Sequence, residues 1–340
     1  NEKAPIDDET LNKYWSEVKA SYLHTNGSRM GSASFFNNPQ YITWLTDERL
    51  QAIAWNYTDR YLELLSQSGR STDVVEKVKS SSLDILKRMG DPRSEEPFFK
   101  KGLAVGEVQS GKTSNFNAVI NRALDSGYQL VIVLSGIMED LRKQTQLRIE
   151  SDVIGYGTIN MTQLTRGAKG VGDVRTFGLE GGGSVLQVVS QTSYKSDFNV
   201  NLWDSGFSLN QTNVLVCKKN VSILKNIINT FRDAQHDDRR HQVPFLLLDD
   251  EADNASLNNL GSRGREYASK VNGHIRALLD LFDRRTYLGY TATPFANVLQ
   301  DHNEAPNTGW PIPHKTPAGV EDRNFSQVAN LFPDDFIVKL

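Results

Sequence analysis

Apolar positions recur at helical spacing through the N-terminal part of the chain. Leu11, Trp15, Val18 and Tyr22 form one stripe, and Leu50, Ile53, Ala54, Tyr57, Tyr61 and Leu64 form a longer one. A third helix is predicted from Asp73, with Glu76 placed to complete a capping box, to Met89, where Gly90, Asp91 and Pro92 supply the stop. Aromatic stripes of this kind read as core, not as a ligand cage. From about Phe98 the pattern changes to short apolar runs separated by helical stretches. Leu103 to Val105, "LVIVLSG" from Leu130, "VLVC" from Val214, "FLLLDD" from Phe245 and "TYLGYTATP" from Thr286 each predict a buried strand. Strands alternating with helices imply an α/β fold with a mainly parallel sheet covered on both faces. Residues 165–212 are rich in Gly, Ser and Thr and lack helical period, which reads as a β-like or mobile insertion.

Composition adds bounds. At 340 residues the chain exceeds the roughly 250 to 300 at which one core stops growing, so a domain with an added layer is expected. The division predicted is an N-terminal helical region over 1–95 and an α/β domain over 96–340. With 38% hydrophobic and 23% charged residues, and no apolar run near the ~18 that span a bilayer, a membrane protein is excluded. The single cysteine, Cys217, allows no internal disulfide, and the start has no signal-like segment, so a cytoplasmic location is expected. A formal charge of −3 leaves any nucleic-acid contact to local patches. The absent initial methionine and the strand-like end, "DDFIVKL", point to a piece of a longer protein.

Three motifs carry chemistry. "GEVQSGKT" matches G-x-x-x-x-G-K-[ST] through Gly106, Gly111, Lys112 and Thr113. In such a loop backbone amides approach phosphates, the lysine neutralises the outer two, and the hydroxyl meets magnesium. The strand before it and the helix after it supply the context that an accidental match lacks. "PFLLLDDEADNAS" puts acids at the end of a buried strand, where Asp250 would hold magnesium through water and Glu251 would serve as catalytic base. The bland alternative is a solvated turn with Asp253 or Asn254 as a helix cap. "YLGYTATPFAN" places hydroxyls at Thr291 and Thr293, able to bond the acidic strand and report nucleotide state.

The order "GEVQSGKT", "DEAD", "TATP" resembles the first RecA-like domain of superfamily-two helicases. More narrowly, "VGEVQSGKTSNFNAVI", "VIVLSGIMEDLRKQTQLRI", "LLLDDEADNAS" and "YLGYTATPFANV" resemble the Z-one domain family, over roughly Phe98 to Leu340. Members are bacterial helicase-like ATPases, often described as endonucleases, of restriction-modification and phage-defence clusters. The resemblance implies a RecA-like P-loop ATPase domain using ATP and Mg2+. Gly106, Gln109, Ser110, Gly111, Lys112 and Thr113 would bind nucleotide, Thr113 and Asp250 the metal, and Lys112 and Glu251 would act in catalysis. Asp253, Thr291 and Thr293 would couple nucleotide state to a bound strand. Nucleic acid, with DNA favoured, would be gripped by Ser135, Gly136, Arg142, Gln144, Thr145 and Arg148, and by Lys218, Lys219 and Asn220. The competing reading makes Arg142, Lys143 and Arg148 a solvated helix face paired with Glu139 and Asp140.

Such helicases hydrolyse ATP between two RecA-like domains, the second supplying arginines, and Arg263, Arg265 and Arg276 have no motif that places them in that role. Slow hydrolysis by these residues alone is expected, because a missing arginine finger costs about 10³ to 10⁵ in rate. Asp7 or Asp8 with Glu17 and Lys19 fits nuclease spacing only superficially, on a helical segment. His236 and His241 in "HDDRRH" read as a polar loop before a metal site. Two functions stay open: an ATP-dependent motor half engaging nucleic acid in a defence or restriction system, and a nucleotide-switched module recruiting a partner ATPase or nuclease. A P-loop kinase is disfavoured, since it has no need of the Thr-Ala-Thr-Pro strand.

Overall fold

The computed structural model describes residues 16, 35–37, 41–106, 112–160, 163–174, 188–198, 208–235, 237, 239–253, 261–294 and 305–340, with backbone alone for 35, 36, 158–160, 163–167 and 261–268. The stripe from Leu11 to Tyr22 and the Asp7, Asp8, Glu17 and Lys19 set lie outside the described residues, as does His236.

In chain order, strand β1 (Phe35–Asn37) precedes helices α1 (Asp47–Ala52), α2 (Asn56–Gln67) and α3 (Thr72–Arg88). The stripe from Leu50 to Leu64 is therefore broken, with Ile53 extended between two helices. A tertiary cap explains the break: the Asp125 carboxylate accepts from the backbone N–H groups of Tyr57 (2.9 Å) and Thr58 (2.8 Å) and starts a new helix there. Helix α3 begins after Ser71 with no side-chain cap bond, and Glu76 instead pairs with Lys79 across one turn, so the capping box expected at Asp73 does not form. Strand β2 (Phe98–Val105), α4 (Lys112–Ser126), β3 (Leu130–Ser135) and α5 (Glu139–Ile149) come next, and α5 ends in one π-helical turn, Glu150–Ile154. After it lie a hairpin, β4 (Tyr156–Asn160) and β5 (Gln163–Ala168), the short helix α6 (Val171–Val174), β6 (Val189–Ser190), β7 (Asn213–Cys217), α7 (Val221–Asp233) and β8 (Phe245–Asp250). Helix α8 (Gly261–Asp280), β9 (Arg284–Thr291), a hairpin of β10 (Asn307–Thr316) and β11 (Gly319–Gln327), and β12 (Phe336–Lys339) complete the series.

The main sheet has the order β1-β12-β2-β9-β8-β3-β7-β6. Seven strands are parallel, and β1 alone pairs antiparallel, with β12. All five sequence-predicted strands are in it, side by side. Pleating sends alternate residues to opposite faces. Val131, Val133, Leu246 and Leu248 pack with Phe116, Val119 and Ile120 of α4, while Leu130, Ile132 and Leu247 pack with Ile227 and Ile228 of α7 and Ile275 and Leu278 of α8. This is the doubly covered, mainly parallel α/β arrangement of RecA-like folds, preceded by helices.

The N-terminal helices add a further layer. Ile85, Leu86 and Met89 share the sheet's core, and Tyr61, Leu62, Leu65, Val75 and Val78 pack with Ala118 of α4. Within the stretch read as an insertion, Val189–Ser190 add a parallel edge strand beside β7, and Thr192 Oγ1 accepts from the Val216 backbone N–H (2.8 Å). The β10–β11 hairpin, unforeseen because Pro311 and Pro313 interrupt its alternation, buries Ile312 and Phe325 against the α7–α8 face. Among the described residues, no helix is long and apolar enough to cross a membrane.

Candidate functional site

Parallel strands end together at one edge of the sheet, and the motifs sit there because each comes directly after a buried strand. The register places Val105 beside Thr291, Tyr290 beside Asp250, and Asp250 beside Ser135. Strand β9 thus stands between β2 and the acidic strand β8. Gly106 is buried and its N–H donates to the Thr291 carbonyl (3.0 Å), which ties the start of the loop to β9. Lys112 and Thr113 open α4, both half-buried, while Gln109, Ser110 and Gly111 lie outside the described residues.

Beside them the acidic turn is held from three sides. Thr291 Oγ1 donates to Asp253 Oδ1 and Thr293 Oγ1 to Asp253 Oδ2, both at 2.6 Å. The Thr293 backbone N–H donates in turn to Thr291 Oγ1 (2.9 Å). Both carboxylate oxygens of Asp253 are thus bonded to hydroxyls at the end of β9, while Asn254 lies outside the described residues. Burial pushes the Asp250 carboxyl above the usual carboxylate range, partly offset by the cations Lys219 and Lys112 and reinforced by Glu251. Glu251 adopts φ +55°, a left-handed conformation uncommon outside glycine. Its carbonyl accepts from Lys219 Nζ (2.5 Å), and its carboxylate lies against Gly136, where an added Cβ would come within 3.1 Å of Oε2. Gly136 itself has φ +73° and offers its carbonyl to the Lys219 N–H (2.7 Å).

Lys219 and Asp249 form a buried ion pair (2.7 Å), 1% and 0% exposed, with Tyr287 O–H donating to Asp249 Oδ2 (2.9 Å). Asp249 was not singled out by sequence. Its signal is parity: one residue before Asp250, it must face the opposite side of β8.

The residues expected to grip nucleic acid divide. Arg142 is wholly buried, its guanidinium donating to Glu139 Oε1 (2.7 Å) and to the carbonyls of Ser193 (2.9 Å) and Tyr194 (3.0 Å). It and Lys219 therefore do not present cations to a phosphate backbone, since their charges are desolvated and already matched inside the protein. Ser135, whose hydroxyl donates to the Cys217 carbonyl (3.3 Å), and Thr145 are likewise buried. The Asn220 side chain caps α7 by accepting from the Ser222 N–H (2.8 Å). Lys218 pairs with Glu139 (2.8 Å). Gln144 and Arg148 are exposed, and Arg148 Nη1 donates to Thr113 Oγ1 (3.4 Å) in the first turn of α4. The His241 ring bonds the Phe231 carbonyl (2.9 Å), and Arg276 donates to the Val328 carbonyl (2.8 Å) inside the fold.

A magnesium ion fits the donor set. Asp250 and Thr113 are hard oxygen donors at the same edge, and magnesium usually takes one or two carboxylates together with phosphate oxygens and water. Among the described residues no group of three or more His, Cys, Asp or Glu is placed to hold a metal ion.

Fold and site together define an α/β protein with a RecA-like sheet and an acid-and-hydroxyl cluster at the strand ends beside the first turn of α4. A scan against protein-family models and a search of curated proteins both find no match to this chain.

Proposed function

We propose that the chain is an ATP-binding and hydrolysing motor domain of helicase type, akin to the Z-one domain family, which couples nucleotide state to nucleic acid, with DNA favoured, in a bacterial defence or restriction system. The observation that carries this is Asp253, whose two carboxylate oxygens take the hydroxyls of Thr291 and Thr293 next to Asp250 and Glu251. A plain phosphate-binding turn has no use for that bridge. A change at the acids would pass through Asp253 to β9 and on to the chain beyond Thr293.

In this reading Lys112 holds the outer phosphates and Asp250 and Thr113 hold magnesium, which when bound neutralises charge on the β- and γ-phosphate oxygens. Glu251 orients the attacking water and takes its proton. The strained turn and the Lys219 contact to its carbonyl fix where that carboxylate points.

The test is an ATPase assay with and without single-stranded and duplex DNA. Glu251→Gln should cut turnover by about 10² to 10⁴ while ATP is still bound, the usual scale for losing a general base. Lys112→Ala should lose binding itself. DNA should raise turnover in the unmodified protein. A flat response to DNA with a rise on adding a partner protein would favour the second reading, a nucleotide-switched module recruiting a partner ATPase or nuclease. That reading draws support from the internal placement of Arg142 and Lys219, which shrinks the cationic surface left for a strand.

A further inference from the structure

A cavity of about 650 Å³ opens between the N-terminal helices and the first turn of α4. Its floor includes Lys112 and Thr113, and its roof includes Leu64 of α2 and Val74 and Val78 of α3. Ligand sites commonly enclose about 300 to 1,000 Å³ behind apolar walls with a few polar groups. We propose that this cavity receives the base and ribose of the nucleotide whose phosphates Lys112 and Thr113 meet. The assignment rests on the phosphate-site reading above and adds to it the part of the chain that reads the nucleoside.

Three observations carry it. A phosphate seated at a helix N-terminus leaves the rest of its nucleotide to extend away from the loop, and the space beside Thr113 is this cavity. The roof is fixed to the floor. Tyr61 O–H donates to the Ser114 carbonyl (3.2 Å), and Asn115 donates to Ser81 Oγ (2.8 Å) while accepting from Tyr290 O–H (2.8 Å). That chain of bonds joins α2, α3, α4 and β9, so the cavity is preformed. Its chemistry is also divided: Val74 is left 44% exposed over it, while Asp152, which accepts from the Asn117 amide (2.7 Å), adds a carboxylate that can take hydroxyl or amino protons. Leu64, Val74 and Val78 suit the faces of a base and Asp152 a ribose hydroxyl or an exocyclic amine, while Arg70, Lys77 and Arg148 on the same walls keep the cavity cationic beside the phosphates.

Calorimetric titration with ATP and with inorganic tripolyphosphate, both with magnesium, separates the parts. Val74→Trp, a substitution at a partly exposed position that fills the roof, should weaken ATP binding by about tenfold or more and leave tripolyphosphate unchanged. Lys112→Ala should weaken both. In the unmodified protein, ATP but not tripolyphosphate should increase hydrogen-exchange protection over residues 64–78, a readout that needs no variant. ATP affinity and exchange that ignore the roof, with phosphate binding intact, would overturn this assignment alone. Failure of the unmodified chain to bind either ligand would overturn the phosphate site, and this assignment with it.

Discussion

Lys219 had the look of a surface cation in "CKKN", and the fold turned it inward onto Asp249. Removing one member of such a pair leaves an uncompensated buried charge, which typically costs about 3 to 5 kcal/mol. Lys219→Ala should therefore lower the urea midpoint strongly. Lys219→Met with Asp249→Leu, which removes both charges, should recover much of the loss. Because Lys219 also holds the Glu251 carbonyl, that double variant should still impair turnover. Equal recovery of stability and activity would show that the Lys219 contact does not position the acid. Sequence reading singled out Asp250, Glu251, Asp253, Thr291 and Thr293 because each belongs to a linear motif, and the bonding it expected between hydroxyls of one strand and acids of the next is present at Asp253. It missed Asp249 and misjudged Arg142, since partners such as Ser193 and Tyr194 lie 51 and 52 positions away in the chain and no local pattern announces them.

Among elements, the buried strands were the most legible. Five apolar runs without alternation can be satisfied only inside a sheet covered on both faces. Helix ends were less so. The break between α1 and α2 depends on Asp125, at the far end of α4, whose carboxylate reaches into the first turn of α2. Burial pushes that carboxyl up to about 6, against hydrogen bonds from Thr58 and Tyr57 that pull it down. Its native value thus lies above the unfolded one of 3.8, so the folded protein holds the proton more tightly. The stability this group contributes is fully present below the unfolded value and is lost as pH rises through about 6. Asp125→Asn, which keeps a carbonyl acceptor without the charge, should flatten the pH dependence of the urea midpoint across that window. The hairpin β10–β11 escaped sequence reading because two prolines sit within its first strand.

At the scale of the whole molecule, the helical layer shares its core with the sheet. Ile85, Leu86 and Met89 are 0%, 0% and 1% exposed beneath it. A chain starting at residue 96 should accordingly expose the outer face of α4 and be insoluble or lose its cooperative thermal transition, while a chain starting at residue 41 should keep it. A soluble, cooperatively folded product from residue 96 would mean that the sheet stands without its N-terminal helical layer.

Strand β12 pairs parallel with β2 through Phe336↔Gly102 to Lys339↔Val105, so partners more than 230 positions apart form one flank of β2. The Asp335 carboxylate secures the same junction, accepting from the Lys101 N–H (2.7 Å). During synthesis that flank of β2 stays open until the last of these residues leaves the ribosome. The nascent chain thus carries an unpaired apolar edge while the intervening residues are made, the condition under which contacts of long sequence separation fold slowly and invite association. Strand β2, which ends at Val105, is paired on both sides only when the stretch around residue 339 arrives.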